Sequence, residues 1–186
     1  MPTAQHASFA HPGRNAELFP IKSGDIVADF GAGLGHYVFE IAKLLQGTGR
    51  IYAIDVQQEL LRRIKNEAHK KGIENIETIW GDIARPHGAK LPNNSVDLCL
   101  MSNVLFQLEQ PKKALEEARR ILKMDGKLII IDWLESFRSL GPAKHHVFNK
   151  ERCLEVAQEA GFAAVGQFAA GAHHYGFILH KQRPSR

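Results

Sequence analysis

Along the chain, short apolar blocks rich in β-branched residues alternate with longer blocks whose apolar positions recur every three or four residues. "DIVADF" (25–30), "RIYAIDV" (50–56), "IETIWGD" (76–82), "VDLCLMSNVLF" (96–106) and "KLIIIDW" (127–133) are of the first kind, and each is read as a strand or as holding one. "GHYVFEIAKLLQG" (35–47) sets Val38, Ile41, Ala42 and Leu45 at helical spacing, and "QQELLRRIKNEAHKKG" (57–72) sets Leu60, Leu61, Ile64 and Ala68 on one face before Gly72 closes the helix. "QPKKALEEARRILK" (110–123) carries Pro111 in its first turn and turns Leu115, Ala118 and Leu122 inward, with "MDG" ending it, and "NKERCLEVAQEAG" (149–161) is a further helix. "KLIIIDW" is so uniformly apolar that it must be covered on both faces, as a central parallel strand is. The last two strands, within 162–180, are joined tightly enough to run antiparallel.

Strand and helix in alternation predict an α/β fold: a Rossmann-like, doubly wound sheet of seven strands, mostly parallel with a C-terminal antiparallel strand. Ligands in such a fold bind at the carboxyl ends of the strands. Its 186 residues are of a size for one domain, 1–186, with an irregular N-terminal arm over 1–24 that could act as a lid and a core over 25–182.

Composition narrows this little. The formal charge of +4 is distributed among acids, as in "LLRRIKNEAHKKGIENIE", which describes a solvated surface, and the basic "HKQRPSR" reads as a frayed C-terminus. Cys99 and Cys153 have no motif spacing, so neither a disulfide framework nor a zinc site is expected. The first twenty residues lack an apolar core, and no run approaches the roughly 18 apolar residues of a membrane span. A cytoplasmic, reduced protein is the expectation.

Chemistry concentrates in "VADFGAGLGHY", where Gly31, Gly33 and Gly35 follow the first strand. Without a Cβ, Gly31 and Gly33 can take positive φ and admit a ligand to the main chain, while the amides of the following helix point at it. The dinucleotide pattern G-x-G-x-x-G is not completed, because His36 stands at its third glycine. Asp55 ends the second strand 24 positions after Gly31, where a carboxylate can accept both hydroxyls of a ribose, or alternatively cap the next helix.

"DFGAGLG", Asp55, "WGDI" and "VDLCLMSNVLFQL" together resemble the class I S-adenosylmethionine-dependent methyltransferases over roughly residues 20 to 180. Within that superfamily, "LPNNSVDLCLMSNVLFQLEQPKKALEEARRILKMDGKLIIIDW" is similar to the small-molecule branch that includes the ubiquinone/menaquinone-type enzymes. The resemblance implies S-adenosyl-L-methionine as cofactor. Gly31, Ala32 and Gly33 would enclose its methionine part, which has no phosphate and so needs no third glycine, and Asp29 would favour its ammonium. Asp55 would take the ribose and Val56 pack on the adenine. Gly81, Asp82 and Ile83 would read the adenine edge, although "GD" is also a common turn. Ser102 and Asn103 would lie beneath the sulfonium.

Methyl transfer is an in-line displacement, so alignment and exclusion of water carry most of the task and a base is needed only for a protonated acceptor. Candidates for that base are Asp132, His145, His146, His173 and His174, each histidine being more commonly a surface or loop residue. Adjacent histidines lack the i, i+4 spacing of helical metal ligands, so no metal is expected. An N-P-P-Y-type motif is absent after the fourth strand, Cys99 lies inside that strand rather than at its end, and basic patches with interleaved aromatics are lacking, which argue against a nucleic-acid acceptor. An aromatic or amphipathic small molecule is expected, walled by Phe9, His11 and Arg14 of the arm and by Trp133, Phe137, Arg138, Lys144 and Phe148; a homodimer stays open. Two rivals remain: a nicotinamide oxidoreductase, which His36 and the Asp82 motif disfavour, and a non-catalytic binding module on the same fold.

Overall fold

The computed structural model describes residues 10–137 and 141–182. Phe9 and Arg138 therefore lie outside the described residues. In chain order the elements are α1 (Pro12–Ala16), β1 (Ile26–Phe30), α2 (His36–Leu45), β2 (Arg50–Asp55), α3 (Gln58–Lys70), β3 (Ile76–Trp80), β4 (Val96–Ser102), α4 (Pro111–Ile121), β5 (Leu122–Trp133), α5 (Lys150–Glu159), β6 (Phe162–Gly171) and β7 (His174–Lys181), with short 3-10 turns at Leu105–Gln107 and Lys144–His146.

The strands form one seven-stranded sheet in the order β3-β2-β1-β4-β5-β7-β6. β1 pairs in parallel with β2 and β4, β2 with β3, and β4 with β5, whereas β7 runs antiparallel to both of its neighbours. The chain winds outward from β1 in both directions, so the switch point falls between the carboxyl ends of β1 and β4.

Alternation along each strand divides the core in two. Val27, Ile51, Leu98, Leu100, Ile129 and Ile131 face α2 and α3 through Val38, Ile41, Leu45 and Ile64. Ala28, Phe30, Cys99, Met101, Leu128 and Ile130 face Leu115, Ala118 and Ile121 of α4 and Cys153 and Val156 of α5. Burying both faces explains why these strands read as unbroken apolar runs.

Three expectations are corrected. The third strand stops at Trp80, because Gly81 and Asp82 belong to the turn that follows. "MDG" does not close a helix: α4 passes directly into β5 at Leu122, and the pairing register with β4 shifts between Val96 and Leu98 to absorb the extra residues. The N-terminal arm is not irregular throughout. Pro12 opens the short α1, whose Asn15 and Ala16, with Phe19 beyond it, are buried against α2 and β6. A five-residue helix offers too little periodicity to be seen in sequence.

Asn15 fixes α1 by donating from Nδ2 to the Tyr37 hydroxyl (2.9 Å) and to the Ala170 carbonyl (2.9 Å), while Phe19 stacks on the Tyr37 ring with centroids 5.9 Å apart. Asn15→Ala is expected to destabilise the protein by about 1–2 kcal/mol, the effect of leaving two buried acceptors unpaired, measured by urea unfolding.

Candidate functional site

At the switch point an open cleft of about 200 Å³ is lined by Gly31 and Gly33, by Asp55, Val56, Gln57 and Leu60, by Gly81, Asp82 and Ile83, and by Asn103, Val104, Gln107 and Leu108. Eight of the eleven cofactor candidates thus meet in one place, while Asp29, Ala32 and Ser102 are not part of the lining.

The glycine loop owes its shape to positive φ at Gly31 (75°) and Gly33 (54°). At Gly31 a Cβ would fall 2.5 Å from Val104 Cγ2, so the loop lies directly against the segment leaving β4. At Gly33 a Cβ would have only the Gly31 carbonyl oxygen near it, at 3.9 Å, which leaves the main chain there open.

Asp55, 7% exposed, joins the loop to the next helix: Oδ2 accepts from the Gly33 amide (2.9 Å) and Oδ1 from the Gln57 amide (2.9 Å). Gln57, not Asp55, occupies the N-cap of α3. Each carboxylate oxygen keeps capacity for a second donor. Val56 is exposed beside it, and its carbonyl accepts from Trp80 Nε1 at 3.0 Å.

Asp29, at the end of β1, is 3% exposed. Burial, reinforced by the neighbouring Asp55 charge, pushes its pKa up to about 7. Ala32 is buried in the loop. Ser102 ends β4 within reach of the Tyr37 hydroxyl, so α1, through Asn15 and Tyr37, is tied to the carboxyl end of β4. This tie was not legible in the sequence, since Asn15 and Ser102 are far apart along the chain and only the sheet edge brings them together.

Asn103 adopts φ 57°, the left-handed region, and its Oδ1 is buried with no hydrogen-bond donor. Its amide donates to the Ile131 carbonyl (2.8 Å) and its carbonyl accepts from Gln107 Nε2 (2.6 Å). On the opposite wall, Asp82 Oδ1 accepts from the Ala84 amide (3.0 Å) and Oδ2 pairs with Arg85 Nε (3.0 Å). The Asp82 side chain therefore also serves the turn, the alternative that its sequence allowed.

The candidate bases lie elsewhere. Asp132 is fully buried, its carboxyl accepting from the Trp133 amide (2.8 Å) and the Phe106 amide (3.4 Å); burial outweighs these bonds and raises its pKa to about 7. It holds the 105–107 turn from behind. His173 pairs with Glu135 (3.0 Å) and stacks on Phe137. His174 is buried against Trp133, and burial followed by repulsion from His173 lowers its pKa to about 4. His145 and His146 are exposed, their rings in contact at a tilt of 58°. None of the five lines the cleft. Among the described residues no group of three or more His, Cys, Asp or Glu side chains is placed to hold a metal, and no helix is long and apolar enough to cross a membrane.

A family model described as a methyltransferase domain matches residues 21–164. A ubiquinone/menaquinone biosynthesis C-methyltransferase from Hydrogenovibrio crunogenus is 30% identical over 117 residues, covering 63% of this chain and 45% of the relative. The chain thus spans about half the length of the curated relatives it matches. Among solved structures, an S-adenosylmethionine-dependent methyltransferase from Aquifex aeolicus superposes with a TM-score of 0.82 at 30% identity, over 90% of this chain and 88% of that one. The [4+2]-cyclase SpnF superposes with a TM-score of 0.76 at 16% identity, over 91% of this chain and 80% of that one, which shows the shared fold alone.

Proposed function

Because this chain belongs to the methyltransferase-domain family, we propose that it is an enzyme that uses S-adenosyl-L-methionine to methylate a small-molecule acceptor. The observation that carries this is the junction of two strand ends in one cleft, where the open main chain at Gly33 meets the Asp55 carboxylate.

The residues present fit the cofactor. Gly33 lets a ligand lie on bare backbone, Asp55 retains acceptor capacity for two ribose hydroxyls, and the orphaned Asn103 Oδ1 asks for a donor such as an ammonium. In this assignment Asp29, Gly31, Ala32 and Gly33 enclose the methionine part and Val56, Gly81, Asp82 and Ile83 the adenine. Ser102 and Asn103 form the floor. When bound, the cofactor supplies an electrophilic methyl group on a sulfonium. The chain's residues then hold it, align the acceptor and exclude water. No proton-transfer step is assigned to Asp132, His145 or His173, since none of them lines the cleft.

The test titrates the full chain with S-adenosyl-L-methionine, S-adenosylhomocysteine and NADH by calorimetry, then screens phenols, quinols and amines for S-adenosylhomocysteine release. Saturable binding of the two adenosyl ligands with product from at least one acceptor is expected. Binding of NADH alone would sink the assignment. Cofactor binding without methyl transfer to any acceptor would favour a binding module, or a reaction of another type on this fold, as the likeness to a cyclase illustrates.

A further inference from the structure

The segment 81–91, which carries Gly81, Asp82 and Ile83, contains neither helix nor strand. Its shape is imposed from α4. Glu117, 3% exposed, points both carboxylate oxygens at the segment: Oε2 accepts from the His87 amide (3.0 Å) and Oε1 from the Ala89 amide (3.0 Å). Arg120 completes the grip, bonding Oε2 through Nε (2.8 Å) and Oε1 through Nη2 (2.7 Å), while its Nη1 donates to the Leu91 carbonyl (2.9 Å) and Asn93 Oδ1 (2.7 Å). Burial alone would raise the Glu117 pKa, but the guanidinium and the two amides outweigh it and hold it below the ordinary value.

Between the two gripped amides stands Gly88, where a Cβ would run into the Asp82 carbonyl group. Main chain therefore presses on main chain, and a displacement at 87–89 passes to Asp82 and Ile83 without slack. His87 (φ 61°) and Lys90 (φ 55°) are held in left-handed conformations that a loop keeps only when its surroundings enforce them.

We propose that Glu117 is a positioning residue for purine recognition: through the 87–89 amides and the Gly88–Asp82 contact it sets where Asp82 and Ile83 meet the purine edge, and thereby fixes the preference for a 6-amino over a 6-oxo purine. This rests on the cofactor assignment above. Glutamine at 117 offers one acceptor and one donor in place of two acceptors, so one loop amide would face an N–H.

Calorimetry of the full chain with S-adenosylhomocysteine and S-inosylhomocysteine tests this. Wild type is expected to prefer the adenosyl ligand by about tenfold or more, as befits a hydrogen bond to a charged acceptor. Glu117→Gln is expected to weaken adenosyl binding about tenfold and to bring the two ligands within about threefold of each other. Arg120→Lys, a milder change, should fall between and carries the test should Glu117→Gln fail to fold. Val156→Ala, which opens a cavity at α5 without removing any hydrogen bond of Glu117 or Arg120, should lower stability and leave the ratio unchanged. A wild-type ratio in a folded Glu117 or Arg120 variant overturns the proposal, as does a ratio that falls with stability in Val156→Ala. A wild type that binds neither ligand overturns the cofactor assignment and this inference with it.

Discussion

Asp55→Ala is expected to weaken S-adenosylhomocysteine binding by about 3 kcal/mol, more than a hundredfold in Kd. Two effects combine. The ribose hydroxyls lose a charged acceptor, and the amides of Gly33 and Gln57 lose the carboxylate that holds the glycine loop against the start of α3. Asp55→Asn separates them, since one amide oxygen keeps one backbone bond while the side-chain NH₂ faces the other amide, and it should lie between alanine and wild type. Calorimetric affinity within twofold of wild type for the alanine variant would remove Asp55 from the cofactor site and leave it a loop brace.

Asp29→Asn is expected to act in opposite directions on stability and on binding. A carboxyl whose pKa rises from 3.8 to about 7 on folding binds its proton more tightly in the native state. Below pH 3.8 both states are protonated and there is no penalty. Between 3.8 and about 7 the unfolded chain ionises first, so stability falls as pH rises, and above about 7 the loss is constant. At pH 8 the penalty is on the order of 4 kcal/mol, and asparagine, which cannot ionise, should recover most of it. Urea unfolding should show the variant more stable than wild type at pH 8 and closer to it near pH 4. Part of the slope should persist, because Asp132 is also raised to about 7 by burial. The variant should bind S-adenosyl-L-methionine more weakly, having lost the charge that favours an ammonium. A buried acid kept at a stability penalty is the pattern of a binding site, and a variant no more stable at pH 8 would refute the desolvation account.

Most of the cleft follows from local chemistry that a linear chain displays. Glycine at 31 and 33 announces positive φ, an acid at the end of an apolar run marks a strand tip, and unbroken apolar runs imply burial on both faces. Each is a property of a residue and its immediate neighbours, so the sequence alone determines the order of the longer elements, the doubly wound sheet and the placing of the glycine loop and Asp55 at neighbouring strand ends.

What tertiary structure alone decided involves partners remote in sequence. Asn15 reaches Tyr37 and the end of β6, Glu117 reaches the segment after β3, and Asp132 turns behind the 105–107 turn and away from the cleft that its place at a strand end suggested. Asn15 and Glu117 look like surface residues in a list of letters, and Asp132 like a residue of the cleft. Their roles arise only where packing removes water and leaves each polar group a single set of partners, and no local pattern encodes that set.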